Sequence, residues 1–318
     1  MLIVNALVPI FFALGLGYGA GKRALFDHQQ VMGLNKFTMS FAIPAALAAA
    51  FLANSRAAII TRHQQLLVFL IVVLVTYALA YALFRVAFHL TVAESSFVTM
   101  AVSVGAYAPI GLPLANNLYG PIGQLGVALS LLVAVVTVIP LSLALVERDL
   151  ARSSRDGTTP RARQAIRAAL SKPVVWAPLL GLCYTLVVPV PLPHFAVLSL
   201  QVIGVAAGGS ALFLTGLILA ENKQVIDRVV FTGIGIKNLF QPLLTVGLLY
   251  VLGARTSSAD ETLLLMALPC GVFPVIFAFT YKMNPARLAS TTLFSTVFGI
   301  VTLTAVLLFE GSFLSWGL

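Results

Sequence analysis

Long apolar runs dominate this sequence of 318 residues and decide what it can fold into. The hydrocarbon core of a bilayer is about 30 Å thick, so a helix needs about 20 apolar residues to cross it. Hydrophobic residues make up 60% of the chain and charged residues only 9%. Ten suitable runs lie near residues 2–21, 32–53, 66–88, 95–117, 122–146, 173–193, 199–219, 229–253, 261–281 and 288–309. The sequence therefore predicts an all-α polytopic membrane protein with ten transmembrane helices.

The basic residues are distributed unevenly between the two sides of these predicted helices. With the N-terminus placed outside, 16 of the 19 Lys and Arg residues fall on the cytoplasmic side, and Arg56, Arg62 and Arg255 fall outside. Cytoplasmic connections carry an excess of Lys and Arg. We therefore expect an inner (plasma) membrane protein, in contact with the lipid bilayer, with both termini non-cytoplasmic. This asymmetry also accounts for the net charge of +9 without a nucleic-acid partner.

A single long polar stretch, residues 147–172, divides the chain into two parts with five predicted helices each, 1–146 and 173–318. Because five is an odd number of crossings, a repeated second half would be inverted in the membrane. We predict a cytoplasmic basic linker between two five-helix repeats. Its residues 160–172 have the pattern of a short basic amphipathic helix, and a solvated linker is the alternative.

Matching positions in the two halves support a repeat. Pro44 matches Gly209 and Pro109 matches Pro274, each pair separated by 165 residues. Inverted repeats are the architecture of many secondary transporters. We therefore predict two inverted five-helix repeats.

Predicted helices 4 and 9 are each interrupted by residues that break helices. Proline removes a backbone donor and clashes with the preceding turn. Freed backbone groups in a membrane are tolerated where they are buried in protein or line a wet cavity. The interruptions are Gly105, Pro109, Gly111 and Pro113 in helix 4, and Pro269, Gly271 and Pro274 in helix 9. We expect these broken helices to cross near the bilayer midplane at a binding site; the alternative is a pair of merely kinked helices.

Several local motifs resemble the auxin efflux carrier family of permeases, which includes bacterial malonate-type permeases and the plant PIN carriers. The motifs are residues 34–47, residues 110–114, Lys172 with Pro173, Lys237 with Pro242, and the proline-bearing helix 9 before Tyr281 and Lys282. The resemblance implies ten helices, a scaffold part (helices 1, 2, 6 and 7) and a moving transport part (helices 3–5 and 8–10). It also implies crossing broken helices 4 and 9, organic-anion transport and a homodimer. The chain departs from the family where Ala106, Tyr107 and Ala108 replace an Asn-containing run, and where Gly209 replaces a proline.

A helix N-terminus presents unpaired N–H groups and a partial positive charge, which suits a carboxylate. We therefore predict a substrate site at the helix 4/9 crossover. Its candidate residues are Asn35, Tyr107, Pro109, Asn116, Asn117, Lys237, Gln241 and Pro274. Snorkelling to the interface is the preferred interpretation for Lys36 and the alternative for Lys237.

The acidic residues all lie in predicted connections or at helix ends. This favours a permease for small organic anions, such as mono- or dicarboxylates, over a sodium/proton antiporter of similar architecture. The family resemblance, with its moving transport part, implies a secondary transporter with alternating-access, elevator-like movement. The alternatives are a sodium- or proton-coupled symporter of bile-acid-symporter-like architecture, and a channel or sensor on the same fold. The sequence contains no catalytic motif and no paired metal-ligand spacing, so we expect neither an enzyme nor a cofactor or metal. The glycines at 15, 17, 19 and 21 form two overlapping Gly-x-x-x-Gly pairs that predict close helix packing.

Overall fold

The computed structural model describes residues 2–153, 172–221, 224–253 and 257–313. Within these ranges the regular elements are all helical. They are α1 Leu2–Lys22, α2 His28–Leu52, α3 Arg56–Ile60, α4 His63–Val86, α5 Val92–Ser103, α6 Leu112–Tyr119, α7 121–153, α8 Pro173–Val187, α9 His194–Glu221, α10 Arg228–Val251, α11 Ser257–Met266, α12 Phe273–Thr280 and α13 Ala286–Phe313.

In the part of the chain that the structure describes, six helical segments are long and apolar enough to cross a membrane, namely α2, α4, α9, α10, Pro121–Leu150 of α7 and Ala286–Leu308 of α13. Two shorter apolar helices are Leu7–Lys22 of α1 and Pro173–Val187. Predicted helices 4 and 9 are each divided into two short helices, α5 with α6 and α11 with α12. The all-helical, membrane-embedded fold is thereby confirmed, and the ten-helix inverted repeat stays a prediction.

Four π-helical turns lie in the described part of the chain, and each ends two residues before a proline. They are Thr38–Ala42, Tyr107–Gly111, Ala134–Val138 and Ile236–Phe240, before Pro44, Pro113, Pro140 and Pro242. In each case the residue just before the proline donates its N–H five residues back, as Ile43 does to the Thr38 carbonyl. Because a proline ring crowds the carbonyl four residues back, one wide turn lets the helix continue. Thus α2, α7 and α10 contain prolines and remain single helices.

Helix α1 packs closely against α9 through glycines. A Cβ on Gly17 would lie 2.1 Å from the Phe213 carbonyl oxygen, and one on Gly216 would lie 2.2 Å from the Leu14 carbonyl oxygen. A Cβ on Gly21 would lie 2.7 Å from the Cβ of Ala220. Gly15 and Gly19 have no such neighbour within 4 Å. The predicted close packing therefore involves only the second of the two Gly-x-x-x-Gly pairs.

The helices form two groups by their contacts. In the first group α1 packs on α9, and both α8 and α9 pack on α2. In the second group α5 packs on α4 and α7, while α10 packs on α4, α11 and α13. The groups meet where α2 contacts α7 and where α9 contacts the π turn at 107–111. The division into scaffold and transport parts that the family resemblance implies stays a prediction.

Helix α7 extends beyond the predicted end of helix 5 at residue 146, and reaches Ser153. Glu147 is buried, and its Oε1 accepts a hydrogen bond of 3.0 Å from the Tyr281 hydroxyl. Asp149 accepts one of 2.9 Å from the Ala93 N–H. These contacts hold the extra turns against α5 and the chain after α12. The predicted basic helix at 160–172 lies, apart from Lys172, outside the described residues.

Candidate functional site

The interruptions of the two broken helices meet. Residues 104–106, which follow α5, run antiparallel to residues 267–271, which follow α11, and Gly105 lies opposite Cys270. The two hydrogen bonds run from the Ala106 N–H to the Pro269 carbonyl (2.8 Å) and from the Gly271 N–H to the Val104 carbonyl (2.9 Å). Backbone groups that have no partner within a helix thus pair with each other, as an apolar medium demands. We call these two segments the break junction.

Lys237 connects α10 to the ends of both first half-helices. Its side chain is fully buried, and its Nζ donates to the Gln241 Oε1 and, at 3.4 Å, to the Met266 carbonyl. The Gln241 Nε2 donates at 3.1 Å to the Ser103 carbonyl. Ser103 and Met266 are the last residues of α5 and α11. Donors from α10 therefore satisfy carbonyls that a helix end leaves unpaired.

A second polar link runs from α10 through α13 to the break junction. The Asn238 Nδ2 donates to the Ser295 carbonyl at 2.8 Å, and the Ser295 hydroxyl donates to the Asn238 Oδ1 at 2.5 Å. The same hydroxyl oxygen accepts a hydrogen bond of 3.0 Å from the Cys270 N–H. Two adjacent residues of α10 thus hold the break junction by separate networks.

Several predicted site residues come together here, but in packed protein. Tyr107, Lys237 and Gln241 each have 0% of their surface exposed, so no water-sized cavity touches them. The Tyr107 hydroxyl lies 4.0 Å from the Met266 sulfur. Pro109, in the π turn after the first break, is buried as well. In this conformation these residues form a closed connection, and their role in substrate binding stays a prediction.

Asn116 and Asn117 are not at the break junction. They are exposed in the last turn of α6, and the Asn116 Oδ1 accepts a hydrogen bond of 2.9 Å from the Gln124 side chain. At 1.5 Å per helical residue, they lie about 15 Å along the chain from Ala106. The structure therefore places these two asparagines at the C-terminal end of α6, apart from the other predicted site residues.

A cavity of about 420 Å³ lies beside the second half of broken helix 9. It contains two lysines and an asparagine among apolar side chains. Its lining residues are Met32, Asn35, Lys36, Met39 and Ser40 of α2, Val135 and Ile139 of α7, Lys172 to Val175 at the start of α8, and Phe273, Ile276 and Phe277 of α12. None of these lining residues is acidic. We call this space the lysine cavity.

The polar lining of the lysine cavity comes from α2 and from the start of α8. The Asn35 Oδ1 is buried and has no partner among the described residues. The Lys172 Nζ lies 4.7 Å from the centre of the Phe277 ring, so this cation sits on the face of α12. Phe273 is the first residue of α12, and Pro274 occupies the same turn. The first residue of α12 thus lines the same cavity as both lysines.

Sequence reasoning assigned Asn35 to the site but missed Lys36 and Lys172. Lys36 fitted a snorkelling side chain, and Lys172 was only part of a motif that opens a helix. Each lysine stands at the edge of an apolar run, where it has an ordinary explanation. Only the packing of α2 beside α8 and α12 brings them to one cavity. The motif at Lys172 and Pro173 was the one signal available.

Two buried acidic residues differ from expectation, and the first, Glu147, lies inside α7. Glu261 lies inside α11, is 1% exposed, and its carboxylate is 2.7 Å from the Arg62 Nη1. The same Arg62 nitrogen donates to the Gln65 Oε1 at 2.5 Å. The prediction that every carboxylate lies in a connection or at a helix end is therefore wrong for Glu147 and Glu261. Burial of Glu261 is tolerable because a guanidinium from the start of α4 pairs with it.

Comparison with known proteins agrees with this architecture. The profile of a family described as "Membrane transport protein" matches residues 2–307. A protein of Escherichia coli K12 named "Uncharacterized transporter YfdV" is 27% identical over 277 residues, which are 86% of this chain and 85% of that protein. "Auxin efflux carrier component 8" of Arabidopsis thaliana is 21% identical over 357 aligned positions, covering 95% of this chain and 96% of its own. "Auxin efflux carrier component 6" of the same plant is 29% identical over 131 residues, 39% of this chain and 23% of its own.

The match of the family profile extends over nearly the whole described fold, including both broken helices and the break junction. It also covers every lining residue of the lysine cavity. The likeness is therefore not confined to one motif or one half of the chain. The chain belongs to this family of membrane transport proteins, the auxin efflux carrier family, and is a transporter and not an enzyme.

Proposed function

We propose that this protein is a secondary transporter of the inner (plasma) membrane that carries small organic anions such as mono- or dicarboxylates. The observation that carries the proposal is the lysine cavity, which combines two cationic side chains and the start of α12 without an acidic lining residue. The proposed site thus lies beside broken helix 9, next to the predicted site at the crossover.

The chemistry of the lysine cavity suits a carboxylate on a short carbon skeleton. An unpaired anion in an apolar space costs many kcal/mol, so a binding cavity must supply countercharge. Lys36 and Lys172 can provide this countercharge, because each ammonium group is a compact positive charge that donates hydrogen bonds to carboxylate oxygens. The apolar wall from Met39, Val135 and Phe273 is matched to the methylene or methyl part of such a substrate.

The position of the lysine cavity supports alternating access. Its walls come from α2 and α8 of the first helix group, from α7 of the second, and from α12, which contacts α5 and α13 of the second group. Sliding of the second group past the first would carry a bound anion across the membrane, which is the elevator-like mechanism. Rigid-body movement of one bundle against another is the usual way in which repeat-built transporters alternate.

The break junction supports the ten-helix inverted repeat. Gly105 and Cys270 face each other and are separated by 165 residues, as are Pro109 and Pro274. In an inverted repeat, equivalent residues of the two halves meet at the pseudo-two-fold axis. The proposal includes a crossing of broken helices 4 and 9 at that axis, both termini outside the cytoplasm, and a homodimer in the membrane.

The proposal is tested by anion binding and counterflow. The wild type and its Lys36→Gln and Lys172→Gln variants are purified, and binding of malonate, acetate and succinate is measured by calorimetry. At least one anion should bind, and each variant should weaken it about tenfold or more, because one countercharge is lost. Lys22→Gln is the matched control, since Lys22 lies over the Tyr18 ring at the end of α1, away from the lysine cavity.

Flux then separates the transporter from the alternatives. In proteoliposomes preloaded with unlabelled anion, a secondary transporter gives saturable counterflow of the labelled anion. Flux that does not saturate would indicate a channel, and binding without flux would indicate a sensor. Binding that is equally strong in both cavity variants would overturn the lysine cavity as the substrate site.

A further inference from the structure

We propose that the break junction contains a monovalent-cation site that this chain fills with its own Lys237 ammonium. Removing that ammonium would open the site to a small cation from solution, such as Na⁺ or methylammonium. The consequence for coupling rests on the proposed transport function, whereas the cation site itself does not.

The groups around the Lys237 Nζ are the ligands that a cation requires. They are the Gln241 amide oxygen and the Met266 carbonyl. Hard monovalent cations prefer such neutral oxygen ligands. A Cβ built on Gly105 would lie only 3.3 Å from the Nζ, so the chain also approaches the ammonium closely from the side of the first break.

Helix ends supply the negative potential. Met266 and Ser103 end α11 and α5, so the C-termini of two half-helices converge on the Lys237 and Gln241 pair. Each helix C-terminus carries a partial negative charge of about half a unit. In transporters built from discontinuous helices, such ends and unwound carbonyls are where coupling cations bind.

The ammonium has no carboxylate partner in the described part of the chain. The ion pairs there are His28–Glu221, Arg62–Glu261 and those of Arg287 with Glu94 and Asp227. The side chain is also 0% exposed, which separates it from any anion in the lysine cavity. Its charge is therefore balanced by amide and carbonyl dipoles, as that of a bound metal cation would be.

A cation site that is filled by a lysine side chain changes how transport is coupled to ion gradients. A transporter with an empty cation site must bind an ion in each cycle and is driven by the gradient of that ion. Here the lysine occupies the site permanently and moves with the protein. Anion flux should therefore be the same whether the external medium contains Na⁺ or choline.

The test uses thermal unfolding of the full-length purified protein without any anion substrate. Lys237→Ala is compared with the wild type in NaCl, methylammonium chloride and choline chloride at equal ionic strength. The variant should melt lower than the wild type in choline and gain about 3 °C or more in Na⁺ or methylammonium, because ligand binding stabilises the folded state. The wild type should melt at the same temperature in all three salts. Lys36→Ala, whose side chain is exposed, is the matched control and should show no cation effect.

Two outcomes overturn the inference. One is a Lys237→Ala protein that melts equally in all three salts, and the other is a wild type that Na⁺ stabilises over choline. The second measurement needs no variant, so it can overturn the inference even if Lys237→Ala does not fold. Because neither readout involves an anion, failure of the proposed transport function would leave both results interpretable.

Discussion

The Gly271 N–H donates a hydrogen bond of 2.9 Å to the Val104 carbonyl, and so joins two segments that are far apart in sequence. A Cβ on Gly271 would lie 3.1 Å from both the Val104 and the Gly105 carbonyl oxygens. Glycine at this position therefore lets the backbones approach closely enough to pair. The break junction depends on this approach because its polar groups have no water to bond with.

Replacing Gly271 by valine should open the break junction. The added side chain would push the two segments apart and leave buried N–H and carbonyl groups unpaired, each at a cost of about 1–3 kcal/mol. We expect a fall of several degrees in the thermal midpoint, and a smaller fall for Gly271→Ala. Gly247→Ala is the control, because a Cβ there meets nothing within 4 Å, and it should leave the midpoint unchanged or higher. Equal midpoints for the Gly271→Val protein and the wild type would contradict this account.

The position of the breaks was predictable from sequence, whereas their pairing was not. A proline or glycine inside an apolar run marks a place where helix hydrogen bonds fail, and that is a local property. Which carbonyl then accepts from the Ala106 N–H depends on a segment more than one hundred residues away. In a membrane every freed backbone group must find a hydrogen-bond partner within the protein, so pairing itself is predictable from sequence. Which group becomes the partner depends on the tertiary fold.

For the charged residues, too, the sequence predicted their positions but not their partners. The position of Lys237 two turns inside α10 predicted either a functional or a snorkelling lysine, and both interpretations assumed an accessible amine. The structure encloses it because Met266 and Gln241 happen to present oxygens at that depth. Similarly, no residue near Glu261 in the sequence indicates that the guanidinium of Arg62 will pair with it and permit its burial.

Substitution of the two prolines that were predicted to form the site should affect anion binding differently. Pro274 lies in the first turn of α12 beside Phe273, which lines the lysine cavity, whereas Pro109 is buried in the π turn. An alanine at either position can extend its helix backward by supplying an N–H. Pro274→Ala should therefore withdraw the α12 N-terminus and weaken anion binding several-fold. Pro109→Ala should leave the affinity within about twofold.

Calorimetry on both proline variants decides this prediction. Thermal midpoints measured on the same samples show whether either protein has simply lost its fold. If the two variants bind the anion equally well, then α12 has no role in recognition.

The Arg62–Glu261 ion pair should stabilise the folded protein and should not be required for transport. Removing one partner of a buried ion pair leaves an uncompensated charge, at a cost of about 3–5 kcal/mol. Glu261→Leu alone should therefore destabilise the protein strongly, and adding Arg62→Met should recover most of the loss. Counterflow by the double variant should remain substantial. A stable double variant without flux would instead make this pair part of the transport cycle.

The last prediction concerns orientation in the membrane. The excess of Lys and Arg in alternate connections places the segment 147–172 in the cytoplasm and Ser55, an exposed residue after α2, outside. In a Cys183→Ser background, which removes the exposed native thiol and keeps the buried Cys270, a Thr158→Cys variant and a Ser55→Cys variant are made. An impermeant maleimide added to intact cells should label the Ser55→Cys protein only. After the cells are opened, the Thr158→Cys protein should be labelled as well. Labelling of Thr158→Cys in intact cells would reverse the predicted topology.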